Sequence, residues 1–193
     1  QVQSLLKRWK MKMSKILVVV GSGNVHGNTD QLSDAFIKGA KEASHDVTKI
    51  ILNKNILCCQ GCQACQHNGH QCVIKDAMQD YYSLFEDADV LVLASPLYFW
   101  SISGRLKSFI DRLYAISTDD KYPSKDTVLL MTSGSDEFYA FEQSVSFYRF
   151  LTKALGWNDK GMVLADGCSG QIGNKIVDKK FLNEAYELGK SIV

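Results

Sequence analysis

Residues 15–29 read KILVVVGSGNVHGNT, an apolar, largely β-branched run that stops at a glycine-rich loop. A strand that is apolar without alternation is buried on both faces, as a parallel strand between two helical layers must be. After the loop, Leu32, Ala35, Phe36 and Ala40 recur at helical spacing, with Asn28 or Thr29 placed to cap the helix start. Strand, glycine loop, helix is the opening of an α/β fold.

The rest of the chain repeats that alternation. VTKIIL (47–52), VLVLAS (90–95), TVLLMT (127–132) and GMVLA (161–165) read as four more strands. Helices are expected from near Asp76 to Glu86, over 102–116, and over 136–155 with Phe141, Val145 and Tyr148 on one side. A closing helix is marked by Val177, Phe181, Ala185 and Leu188. Right-handed crossovers leave few topologies for five such units, and the leading one is a parallel sheet of order 2-1-3-4-5, covered on both faces. In such a sheet ligands bind beyond the carboxyl ends of the strands, so chemistry belongs to the loops after strands 1, 3 and 4.

Composition sets the outer limits. The 193 residues suit one domain that needs no cysteine staple. The formal charge of +1 is uneven: Lys7, Arg8, Lys10, Lys12 and Lys15 fall in the first fifteen residues, leaving 17 basic against 21 acidic residues elsewhere. A mildly acidic body offers no footprint for nucleic acid. Residues 1–14 read as a basic leader, disordered or added, and residues 15–193 as the folded domain. No segment reaches the length of a membrane span, and a cytoplasmic location is expected.

The loop after strand 1 excludes several phosphate-binding classes. It lacks the Lys of a Walker loop, and its G-x-G-x-x-G pattern fails at His26. Strand 2 ends in Asn53-Lys54, without the ribose-binding acid of a dinucleotide fold, and no Cys stands six positions before an Arg as in a phosphatase loop. What survives is either a plain βα turn or a cradle of backbone amides, with Ser22, Asn24, Asn28 and Thr29 as neutral donors, of the kind flavodoxin-type folds use for the phosphate of FMN. Strand 3 ends in Ser95-Pro96-Leu97-Tyr98-Phe99-Trp100, where proline stops the strand and the aromatics suit a flat flavin ring. The same aromatics would equally suit a core or a subunit contact. After strand 4, Ser133 and Gly134 offer hydrogen-bonding backbone.

GSGNVHGNT, C-x-G-C-x-x-C running on to CVIKDAM, and SPLYFWSISGRLKSFIDR together resemble the NADPH-dependent FMN reductase-like flavoproteins, including their iron-sulfur branch, over about residues 14–193. The resemblance implies a flavodoxin-like three-layer sandwich, bound FMN, and assembly into homodimers or homotetramers. Carried over by position, Ser22, Asn28 and Thr29 hold the FMN phosphate. Pro96, Leu97, Tyr98 and Phe99 line the flavin, with Ser133 and Gly134 on the strand 4 side. Asn24 stands where relatives often carry arginine, and Ala77 where an aspartate often follows Asp76.

Five of six cysteines crowd into CCQGCQACQHNGHQC (58–72). Cys59, Cys62, Cys65 and Cys72 have spacing that suits a four-iron cluster or zinc, and the iron-sulfur branch binds a four-iron cluster with a similar run. Thiols without a cluster, packing a folded-over loop, are the leading reading; an iron-sulfur cluster, zinc or an adventitious disulfide are the alternatives. The expected activity is FMN-dependent oxidation of NAD(P)H, with electrons passed to a quinone, flavin, metal or protein acceptor and no side chain required as acid or base. A flavodoxin-type or iron-sulfur flavoprotein electron carrier without nicotinamide activity and a flavin or thiol redox sensor are the competing classes.

Overall fold

Five parallel strands form the frame: β1 (Lys15–Val20), β2 (Asp46–Ile51), β3 (Val90–Pro96), β4 (Asp126–Thr132) and β5 (Asn158–Ala165), in the spatial order β2-β1-β3-β4-β5. The structure is a computed structural model that describes residues 13–119, 121–170 and 175–193. Most of the basic leader lies outside the described residues.

The continuous apolar runs split by alternation between two cores. Leu17, Val19, Leu91, Leu93, Leu129 and Met131 face one side, under α2 (Gln79–Asp87), α3 (Gly104–Arg112) and α4 (Glu142–Leu155). Ile16, Val18, Val20, Val92, Ala94 and Leu130 face the other, under α1 (Asn28–Glu42) and α5 (Lys179–Lys190). This is the expected flavodoxin-like sandwich. Gly21 N donates to Ala94 O at 2.7 Å and Leu97 N to Thr132 O at 2.8 Å, so neighbouring strands leave the sheet in step and deliver their loops to one rim.

Several boundaries differ from the sequence reading. The N-cap of α1 is Gly27, with no side-chain cap, because Thr29 is spent on Thr132 and Asn28 on Ser169. Instead of opening a helix, Asp76 binds Arg112 and accepts from Leu57 N and Met78 N, and α2 starts at Gln79. Ser103 caps α3, accepting from Leu106 N at 3.2 Å, and the segment finishes as a 3-10 turn over Leu113–Ile116. Another 3-10 turn, Phe138–Phe141, precedes α4. β5 begins at Asn158, ahead of the apolar core GMVLA, because an edge strand can present polar residues to water.

Candidate functional site

The loop after β1 ends at the uncapped start of α1, so the first-turn amides of that helix point outward without a side-chain acceptor. Ser22 Oγ accepts from Asn24 N at 3.2 Å and Gly27 N donates to Asn24 O at 3.1 Å, closing the loop on itself. His26 takes the left-handed conformation at φ 61°, and its amide donates to Asp30 Oδ2 at 2.8 Å. Asp30 is buried beside Lys49, whose Nζ lies 2.6 Å from Oδ1. The carboxylate nearest the helix start is therefore paired with Lys49 and bonded to the His26 amide.

Side-chain bonds fasten this loop to its neighbours. Thr29 Oγ1 and Thr132 Oγ1 share a hydrogen bond of 2.8 Å, and Asn28 Nδ2 donates to Ser169 O at 3.4 Å. Ser103 Oγ donates to Gly21 O at 2.7 Å and thereby fixes α3 against the glycine loop. Glycine is required at 21, since a Cβ there would meet Leu106 Cβ and Ser103 Oγ at 2.7 Å.

The three loops meet in one cavity of about 200 Å³. Ser22, Asn24, Asn28 and Thr29 line it from the β1 side, Pro96, Leu97 and Tyr98 from β3, and Ser133 and Gly134 from β4. Nine of the ten residues named from sequence thus share one concavity. Phe99 does not: it is 94% exposed, at φ 47°, and with Trp100 at φ 57° it forms the tip of a tight turn closed by the paired amides and carbonyls of Tyr98 and Ser101. The turn lifts both rings out of the cavity and sets them edge-on, 6.3 Å apart.

Gly27, Thr132, Cys168 and Lys175 complete the lining and were not anticipated. Cys168 and Lys175 follow β5, whose loop folds back over α1: Gln31 Nε2 donates to Lys175 O at 3.0 Å. Lys175 puts a cation at a cradle that looks uncharged in sequence, although its Nζ also donates to Gly170 O at 2.6 Å. No local motif marks it; only the rule that loops at one end of a parallel sheet converge points to it. Burial pushes the Cys168 thiol up to about 11, so it stays protonated at neutral pH and is no nucleophile.

The donor set fits a phosphorylated flavin. Free helix amides, Ser22, Thr29 and Lys175 suit the phosphate. The buried Oδ1 of Asn28 has no partner and suits a ligand hydroxyl. The apolar Pro96-Leu97 wall and Tyr98 suit a ring. The cysteine loop is arranged differently. Cys59 and Cys62 are exposed, Cys65 is buried, and Cys72 is half-buried near Arg112 and Tyr82. Among the described residues no three His, Cys, Asp or Glu side chains converge as metal ligands. The loop as it stands does not form a four-iron ligand set.

The sequence pattern of the NADPH-dependent FMN reductase family matches residues 14–149. An iron-sulfur flavoprotein of Archaeoglobus fulgidus is 29% identical over 184 residues, covering 92% of this chain and 78% of that protein. An azoreductase from Bacillus anthracis superposes with a TM-score of 0.70 at 18% identity, over 93% of this chain and 100% of the other. An NAD(P)H:quinone oxidoreductase from Methanothermobacter marburgensis gives 0.67 at 16% identity, over 92% and 96% of the two chains. These two structural likenesses bear on the fold; the match over residues 14–149 bears on descent. The chain belongs to the NADPH-dependent FMN reductase family, a family of flavin-dependent oxidoreductases.

Proposed function

We propose that the shared cavity takes FMN, with Ser22, Asn24, Asn28, Thr29 and Lys175 holding the phosphate and ribityl chain. Pro96, Leu97 and Tyr98, with Ser133 and Gly134 opposite, receive the ring system, and Phe99 stands at the rim. When bound, FMN supplies two-electron chemistry, accepting hydride from NAD(P)H and returning electrons to a quinone, flavin, metal or protein acceptor. The chain's own part is to bind, orient and keep water from one face of the ring. The uncapped α1 amides fix one end, and the amides of Leu97 and Ser133, donating to Thr132 O and Ala165 O, hold the two ring-side loops rigid. No side chain is assigned as acid or base. Residues 15–193 form the working domain, which acts in the cytoplasm as a homo-oligomer, and the cysteines carry no cluster in this reading.

The observation that supports it best is the meeting of three sequence-distant loops in one cavity over a helix start with no cap. Two measurements test it. Purified protein should bind FMN at micromolar concentration, with Asn28→Ala weakening binding roughly tenfold through loss of a buried polar partner. NADH or NADPH should then be oxidised in the presence of a quinone or free flavin. Binding without turnover of either nucleotide would leave an electron carrier in place of the reductase.

A further inference from the structure

Two cavities adjoin the FMN cavity without being part of it. The first, about 560 Å³, lies between the β1 loop and the start of α3, and Asn24 and Tyr98 border it as well as the FMN cavity. The second, about 360 Å³, lies between the chain after β2 and α3, and shares Gly104 and Arg105 with the first. Both volumes fall within the roughly 300–1,000 Å³ of small-molecule sites. Arg105 stands where the two meet. Its Nη1 donates to Leu52 O at 2.9 Å, which holds the guanidinium in place and leaves its other N–H groups for a ligand. Gly23 makes the room, since a Cβ there would come within 3.3 Å of Arg105 Nε and Cζ. Lys54 lines the second cavity, with the apolar Ile56 beside it. Among the described residues, no acid lines either cavity and neither cation is ion-paired.

We infer that these two cavities hold the diphosphate and adenosine of NADPH, with Arg105 on the diphosphate and Lys54 on the 2′-phosphate. The shared borders fix that order. A nicotinamide placed at the flavin and passing Tyr98 has its diphosphate next and its adenosine last, and the two cations come in the same sequence. The planar fork of arginine suits a diphosphate, which presents its oxygens in pairs. Lysine, a point charge on a flexible stem, suits a terminal phosphate. Ile56 offers an apolar surface to adenine. An uncharged quinone would use neither cation, and a single free phosphate would engage only one. Selectivity then divides between the two residues. Arg105 serves NADH and NADPH alike, because both carry the diphosphate, whereas Lys54 serves NADPH alone. The inference rests on the proposed function in taking a nicotinamide nucleotide as the electron donor.

The test titrates FMN-loaded protein by calorimetry with two probes, adenosine 2′,5′-bisphosphate and 5′-AMP, and involves no redox reaction. Wild type should bind the bisphosphate roughly tenfold more tightly than 5′-AMP, the worth of one charge-assisted contact. Lys54→Met should bring the bisphosphate down to the affinity of 5′-AMP and leave 5′-AMP unchanged. Arg105→Met should weaken both probes roughly tenfold, and Arg105→Lys, which keeps the charge without the fork, should recover part of that loss. Neither residue lines the FMN cavity, so matching flavin content and melting temperature confirm that the variants fold. Equal affinity for the two probes in the wild type, a Lys54→Met that weakens both, or an Arg105→Met that weakens neither would each overturn the assignment. Flavin reduced by neither NADH nor NADPH would overturn the reductase reading instead, and the two titrations would still decide this site.

Discussion

Arg112 is the largest fully buried side chain and is a cation. Its guanidinium reaches Asp76 at 2.8 and 3.2 Å, Leu57 O at 3.0 Å and Ile74 O at 3.3 Å, so one residue of α3 ties down both ends of the cysteine loop. Burial by itself would raise the Asp76 pKa. The hydrogen bonds from Arg112 and from the Leu57 and Met78 amides outweigh it and hold the carboxyl below the usual carboxylate range. A folded pKa below the unfolded one gives stability that is fully present above the usual carboxylate range and is lost as pH falls from there through the lower folded value. Asp76→Asn should therefore cost roughly 3 kcal/mol at pH 7, by stranding a buried cation. The gap from wild type should narrow in urea unfolding as the pH falls below the ordinary aspartate value of about 4; a constant gap would count against the pair. Trp100 presents the opposite case. At φ 57°, in a turn whose other central residue is Phe99 at φ 47°, it occupies a backbone region that costs an L-residue about 1–2 kcal/mol. Trp100→Gly should raise the melting temperature by about 2–4 °C, after the entropy cost of glycine in the unfolded chain. A drop would mean that the exposed ring makes contacts outweighing the strain.

At the scale of elements, α1 and α5 approach more closely than side chains allow. A Cβ on Gly39 would lie 1.9 Å from Tyr186 O, and one on Gly189 2.1 Å from Phe36 O. Each glycine lets the other helix's backbone into contact, and there is no flexible atom to yield. Gly39→Ala should cost about 3 kcal/mol or more by overpacking, and the same change at Gly104, where an added Cβ meets nothing within 4 Å, should cost far less. Comparable losses from both would count against the close approach as the cause, because helix propensity alone favours alanine over glycine. These glycines carry no signal in the sequence, because a helical glycine chosen for close approach reads as a weak helix residue. The strands were legible for the converse reason. β1, β3 and β4 lie inside the sheet, and burial on both faces leaves apolar runs that nothing else in the chain imitates. Only half of β5 was readable, since Asn158, Asp159 and Lys160 sit on an edge. The starts of α1 and α2 shifted because Thr29 and Asp76 look like caps locally but are claimed by Thr132 and Arg112 across the fold.

For the molecule as a whole, the parallel sheet is a device for bringing distant loops to one rim. Ser22, Leu97 and Ser133 were legible because each follows a readable strand, and topology alone then places them together. Lys175 was not, for its loop is brought to the cavity by Gln31 and Asn28 of α1, contacts that no local pattern marks. Phe99 lies outside the cavity lining because paired left-handed residues turn it outward, a conformation no local propensity would choose. A site assembled from four loops should couple ligand binding to global stability. FMN at a hundred times its dissociation constant should add about 2.7 kcal/mol, a rise in melting temperature of about 5–10 °C for a chain of this size. Riboflavin has the ring and the ribityl chain without the phosphate, so at matched concentration it should give a clearly smaller shift. Lys175→Met should cut the FMN shift and leave the riboflavin shift unchanged, because only the phosphate loses a cation. If riboflavin matched FMN in the wild type, the uncapped end of α1 would not be reading the phosphate, and the assignment of Ser22, Asn28 and Thr29 would fall while the ring-side loops still stood.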